Sequence, residues 1–264
     1  YFLMNNDFSL GVSVVSAKDR PRQIKNTLES FLAYTPENSY RLIWHHIIGH
    51  DETTNYLIEQ NRIGKITHLF LHHFSEDWRW EGLHNTSALL LTQEIYCHDI
   101  KPIQWFMVCC DDMQFEPGWY EQTVETIKMY SDLNIGIWSP YRPPEHVGNY
   151  PPMERDGKKL WIYNSLAPRC CLMRVQHFFD CGMFHVHKQH TADWKLIMEM
   201  EKRKLGFAVI DGEKVKHVDW GYSPAHSPLK PDKEFQTDEE ILKEHGGYRG
   251  DPHAIWPEEK RPDI

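Results

Sequence analysis

The sequence predicts an α/β domain with a mostly parallel central sheet flanked by helices. Two observations carry that expectation. Short apolar runs of strand length alternate with helix-period stretches through the first half of the chain, the rhythm of successive β-α-β units. At 264 residues, 41% hydrophobic and 25% charged, the chain can bury one sizeable core and is short for two.

Residues 11–16 (GVSVVS) read as the first buried strand. Pro21 then stands where a first helical turn tolerates proline, and Ile24, Leu28, Phe31 and Leu32 recur at helical spacing until Pro36 stops the helix. Residues 40–48 and 66–72 read as the second and third strands. The run from Trp80 to Cys97 is helical, with an apolar face through Leu83, Ala88, Leu91 and Ile95. Residues 103–110 (IQWFMVCC) make a fourth buried strand that stops abruptly at Asp111-Asp112. Pro117 and Gly118 open another helix, and residues 135–139 make a further strand.

Residues 139–157 are rich in Pro, Tyr and Gly and read as a long loop, of the kind commonly used as a lid or binding element. The second half offers strands at 160–164, 168–175, 207–210 and 215–218, and a helix at 192–204. After Ser223 the chain turns polar and Pro-rich, so the expected division is a domain over 1–222 and a polar extension over 223–264. No internal repeat is present.

A formal charge of −9 argues against a surface that tracks a phosphate backbone, while leaving room for a local basic pocket. No apolar run approaches the roughly 20 residues needed to cross a bilayer, and the first residues lack the basic-then-apolar pattern of a signal peptide. A soluble protein is expected. None of the six cysteines forms a C-x-x-C pair, and two vicinal pairs lie in strand-like apolar runs. Buried free thiols in a reducing, cytoplasmic setting follow, rather than a disulfide framework or zinc knot. Ten Trp, twelve Tyr and seventeen His suit planar or sugar-like ligands and equally fill ordinary cores.

The sharpest chemical feature is Asp111-Asp112 at the carboxyl end of a central strand, where open α/β sheets bind their ligands. Two adjacent anions repel, and persist more easily when a divalent cation or several donors neutralise them. The alternative is an Asp that caps the turn into the following helix. His185, His187 and His190 invite a zinc reading, but with no fourth ligand at familiar spacing they read better as a loop ahead of Asp193.

The segment WFMVCCDDMQFEPGWYEQ resembles the metal-binding acidic strand end of the GT-A glycosyltransferases, especially inverting family 2. VSVVSAKDRP resembles that family's first strand and turn, IIGHDETT its second strand end, and TADWKLIMEMEKRKLGFAVI its late acidic helix and following strand. These matches fall in the expected order over residues 9–222, and order is more specific than any one of them.

The resemblance implies a GT-A (Rossmann-like) fold and transfer of a sugar from a nucleotide-diphosphate donor, such as a UDP-sugar, to an acceptor hydroxyl with inversion. It implies that Asp112 binds Mn²⁺ or Mg²⁺ at the donor diphosphate, that Asp111 faces the ribose, and that Asp193 is the catalytic base. The family commonly has Glu before that base, and Ala192 stands there instead. A helix's first turn also favours Asp for its dipole alone. His217 resembles a late histidine that some GT-A enzymes add to the cation, which favours manganese; a lone strand histidine is also often structural. Ser16, Lys18, Asp19 and Asp51 match positions that hold the nucleotide base, with His50 replacing one usual acid. Arg20, Arg22 and Lys188 are candidates to face phosphates. Trp80, Gly82 and Asn85 match a helix start near the donor sugar.

A nucleotidyltransferase would need a glycine-rich phosphate loop after the first strand, and SAKDRP has none. A non-catalytic nucleotide- or carbohydrate-binding module stays open, as does a phage or viral transferase acting on modified DNA bases in a host cytoplasm, where one extruded base needs only a local basic pocket. Glycan and lipid-linked acceptors remain equally open, with acceptor choice expected in residues 140–170 and the tail.

Overall fold

A computed structural model describes residues 8–16, 20–49, 52–73, 80–98, 102–141, 152–163, 169–185, 192–212 and 214–218, with side chains except at 81, 94–98 and 192–194. The main sheet contains β1 (Leu10–Ser16), β2 (Tyr40–Ile47), β3 (His68–His72), β4 (Trp105–Cys110), β6 (Ile135–Ser139), β7 (Met153–Arg155), β8 (Lys158–Tyr163), β9 (Cys170–Arg174) and β10 (Gly206–Ile210). Their order is β3-β2-β1-β4-β9-β6-β10-β8-β7. All of these strands except β8 and β9 run the same way. A separate antiparallel ribbon pairs β5 (Met113–Phe115) with β11 (Val215–His217).

Helices cover both faces. Leu10, Val12 and Val14 of β1 share one core with Ile24, Leu28 and Phe31 of α1 (Pro21–Tyr34), Leu57 of α2 (Thr53–Arg62) and Trp119 and Ile127 of α4 (Trp119–Met129). The opposite face packs Ile43, Phe106 and Val108 against Ala88 and Leu91 of α3 (Trp80–His98), Phe178 of α5 (Val175–Asp180) and Leu196 and Met200 of α6 (Ala192–Lys202). Each fully buried aliphatic side chain stabilises by about 1.5–3 kcal/mol. Gly11 leaves room for α3 and the chain before β4: a Cβ there would stand 2.7 Å from Leu91 Cδ1 and 3.0 Å from Ile103 Cγ2.

Two expectations need correction. The long loop foreseen over 139–157 contains a strand, because β7 and β8 form a hairpin across Asp156-Gly157. Both turn residues have positive φ, 45° and 73°, the pairing that two-residue hairpins require. The apolar run at 168–175 divides into β9 and the start of α5, and β9 runs antiparallel between β4 and β6. The acidic pair also leads into β5 before the α4 helix begins.

Cys109, Cys110, Cys170, Cys171 and Cys181 are free thiols, and burial raises the Cys171 thiol well above its ordinary range. Among the described residues, no helix is long and apolar enough to cross a membrane.

Candidate active site

The acidic turn lies where β4, buried up to Cys109, leaves the main sheet and the chain enters β5 of the separate ribbon. β5 is locked on both edges. On one side it pairs with β11 in the register Met113↔His217, Gln114↔Lys216 and Phe115↔Val215. On the other, α1 supplies hydroxyls: the Met113 amide donates to Thr27 Oγ1 at 3.0 Å and the Phe115 amide to Ser30 Oγ at 3.1 Å. The Val218 amide donates to the Asp112 carbonyl at 2.8 Å. A late strand is thereby fixed beside the turn, and it brings His217 Nε2 to 3.1 Å from Asp112 Oδ2. Tyr141 steadies β11 from its other edge, bridging Val215.

Arg20 completes the cluster. It occupies the N-cap of α1, with Nη1 donating to Asp111 Oδ1 at 2.6 Å and Nη2 to Asp112 Oδ2 at 2.9 Å. The three side chains are 7%, 4% and 11% exposed, so they face each other with little screening by water. Burial opposes the guanidinium charge, but Asp111 and then Asp112 outweigh it and hold Arg20 above its ordinary pKa. Two buried atoms in the cluster stay without a hydrogen-bond partner: Asp112 Oδ1 and Arg20 Nε. Buried polar atoms are nearly always paired, so these two mark an incomplete constellation.

The other foreseen residues divide. Ser16, at the end of β1, is fully buried; its hydroxyl accepts from Trp44 Nε1 at 2.8 Å and contacts His46 Nδ1 at 2.9 Å. That makes it a joint between β1 and β2. Asn85 grips the backbone of Phe184 twice, Nδ2 donating to the carbonyl at 2.8 Å and Oδ1 accepting from the amide at 3.0 Å. It therefore ties α3 to the segment that leads towards α6. Asp193 falls in the first turn of α6, and its side chain lies outside the described set. Lys18, Asp19, His50, Asp51, His187, Lys188 and His190 also lie outside the described residues.

On the α3 face of the sheet, a chain of uncharged polar groups links four elements. His72 Nε2 meets His45 Nδ1 at 3.0 Å, and His45 Nε2 meets Ser87 Oγ at 2.8 Å. Ser13 Oγ joins Ser87 Oγ at 2.8 Å, and His84 Nδ1 meets Ser13 Oγ at 2.8 Å. Burial is the main cause that brings His45 and His84 down to about 3, with His72 adding to it at His45 and His45 at His84. Both rings are neutral at physiological pH. Sequence reading missed this network, because the four elements become neighbours only once the sheet order is known.

No family model and no curated protein matches the sequence. Solved structures do. An S. aureus TarS fragment (1–349) in complex with UDP-GlcNAc superposes with a TM-score of 0.58 at 10% identity, over 83% of this chain and 61% of that one. GalNAc-T7 with UDP, GalNAc and Mn²⁺ gives 0.58 at 13% identity, covering 80% and 44%. The mannosyltransferase PcManGT from Pyrobaculum calidifontis, with GDP-Man and Mn²⁺, gives 0.52 at 11% identity, covering 77% and 57%. The chain has a GT-A glycosyltransferase fold. It spans less than two thirds of each of these neighbours.

Among the described residues no group of three or more His, Cys, Asp or Glu could hold a metal ion by itself. A pair is nevertheless a chemically sound partial shell. A carboxylate with one oxygen unpartnered and an imidazole nitrogen beside the other suits a cation that takes its remaining ligands from phosphate oxygens and water, as magnesium-type sites usually do.

Proposed function

We propose that the chain is a metal-dependent glycosyltransferase that moves a sugar from a nucleotide-diphosphate donor to an acceptor hydroxyl. The observation that carries this reading is the pairing of Asp112, at the carboxyl end of β4, with His217 from β11 through Oδ2, while the other carboxylate oxygen, Oδ1, is buried without a protein partner. The bound sugar nucleotides and Mn²⁺ of the fold's neighbours support the same chemistry.

In this reading Asp112 and His217 hold Mn²⁺ or Mg²⁺ against the donor diphosphate. The cation, when bound, offsets the negative charge that grows on the departing nucleotide. Asp111 faces the ribose, while Lys18, Asp19 and Asp51 surround the base, which we take to be uracil. Ser16 and Asn85 act one step back, by holding β1 against β2 and α3 against the segment after Phe184. Asp193 accepts the acceptor's proton as its oxygen attacks the anomeric carbon, and inversion follows from the family 2 resemblance. Residues 1–222 form the catalytic domain, and the acceptor is a glycan, a lipid-linked sugar or a modified base.

The test is a panel of nucleotide sugars incubated with the protein and Mn²⁺, with released nucleotide diphosphate measured. Slow donor hydrolysis that disappears in Asp112→Ala is the expected result. Metal-dependent donor binding without any release, with or without acceptors, would instead identify a non-catalytic binding module.

A further inference from the structure

We propose that Arg20 is a built-in competitor of the cation, and that it makes metal and diphosphate binding depend on each other. The inference rests on the donor-site reading above and goes beyond it. The Arg20 guanidinium takes the same Asp112 oxygen, Oδ2, that faces His217 Nε2, at 2.9 and 3.1 Å respectively. A divalent ion held between Asp112 and His217 therefore meets a resident positive charge that is itself 93% buried, its side chain being 7% exposed. Like charges at that range in a poorly screened pocket repel strongly.

Formal charge shows what resolves the conflict. Asp111, Asp112 and Arg20 sum to −1. A divalent cation alone turns the pocket to +1 with Arg20 unsatisfied, whereas a cation arriving with a doubly charged diphosphate returns it to −1. Arg20 then exchanges a carboxylate oxygen for a phosphate oxygen, and its fork geometry suits both. Arg20 Nε, buried and without a partner, leaves one donor of the fork free for this exchange. The converse also holds: a diphosphate without metal meets two carboxylates and one arginine. Each ligand thus needs the other, and the coupling is reciprocal by linkage.

The experiment is a Mn²⁺ titration followed by the loss of the free-ion paramagnetic resonance signal, with and without UDP, on wild type, Arg20→Gln and Arg20→Lys. In wild type, Mn²⁺ alone binds weakly and UDP tightens it. In Arg20→Gln, Mn²⁺ alone binds at least ~10-fold tighter, since one nearby charge is worth a kcal/mol or more in such a pocket. The gain from UDP shrinks by a similar factor. Arg20→Lys keeps the charge but cannot fork to both carboxylates, and lies between. Unchanged or weaker Mn²⁺ affinity in Arg20→Gln, alongside UDP-dependent binding in wild type, would overturn the competitor role and leave the donor site standing. Should Arg20→Gln fail to fold, Arg20→Lys decides, and no tightening there overturns the role. No Mn²⁺ uptake by wild type even with UDP, at any nucleotide concentration, would remove the donor-site reading itself.

Discussion

Two polar clusters sit near the same carboxyl ends of the sheet and are built on opposite terms. Around the acidic turn, Arg20, Asp111 and Asp112 are buried ions, and two of their polar atoms have no partner. Under α3, the His72–His45–Ser87–Ser13–His84 chain is uncharged, and its four links measure 2.8–3.0 Å. Burying an unpaired polar atom costs about 1–3 kcal/mol, so the first arrangement persists only against a stability penalty. The contrast separates polar groups that hold the architecture, which are neutral and saturated, from buried ions that leave polar atoms unpaired.

Substitutions break the comparison in order of size. Asp112→Asn should lower donor hydrolysis by about 10³-fold, because cation-based stabilisation of a leaving diphosphate is worth several kcal/mol. Steady-state release of nucleotide diphosphate checks it, and retention of half the rate would remove Asp112 from the site. Asp193→Asn should cut transfer by roughly 10²–10⁴-fold while nucleotide affinity stays nearly intact. Equal loss of both would move Asp193 out of the base role.

The neutral chain should respond to acid, and the sign follows from its histidines. Their folded pKa values, about 3, lie below the ordinary 6.5. Between those limits the unfolded chain binds protons that the folded one refuses. Stability is therefore intact above 6.5 and falls as pH drops through that window, by at most about 1.4 kcal/mol per pH unit for each ring. Chemical denaturation at pH 7, 6 and 5 reads the slope, and His84→Gln should reduce it by up to half. A flat profile would mean that both rings accept a proton in the folded protein.

Asn85→Ala is the mildest change. It removes both hydrogen bonds to the Phe184 backbone and should cost about 1–3 kcal/mol, with Mn²⁺ affinity unaltered. A loss of metal binding in that variant would place Asn85 in the donor site itself.

Much of the fold was legible because it depends on local signals. β1, α1, α3, β4 and β6 follow from apolar runs, helical spacing and Pro punctuation. The Asp111-Asp112 pair was visible as an acidic stop after a buried strand, and His217 as a late histidine. Their meeting was not, since it needs β11 to pair with β5 across about a hundred residues of chain. Arg20 was one cation among several until β1 and β4 became neighbours and placed it across both carboxylates. The β7–β8 hairpin did leave a local mark, Asp156-Gly157, which a reading of Pro and Tyr content passed over.

If the donor-site proposal holds, the turn after β4 takes up a cation together with a nucleotide diphosphate. Isothermal calorimetry with a full set of nucleoside diphosphates and Mn²⁺ tests it most directly. Metal-dependent uptake of at least one nucleotide, lost in Asp112→Asn and preserved in Asp193→Asn, is the predicted result. Absence of uptake for every nucleotide, or uptake that ignores Asp112, would contradict it.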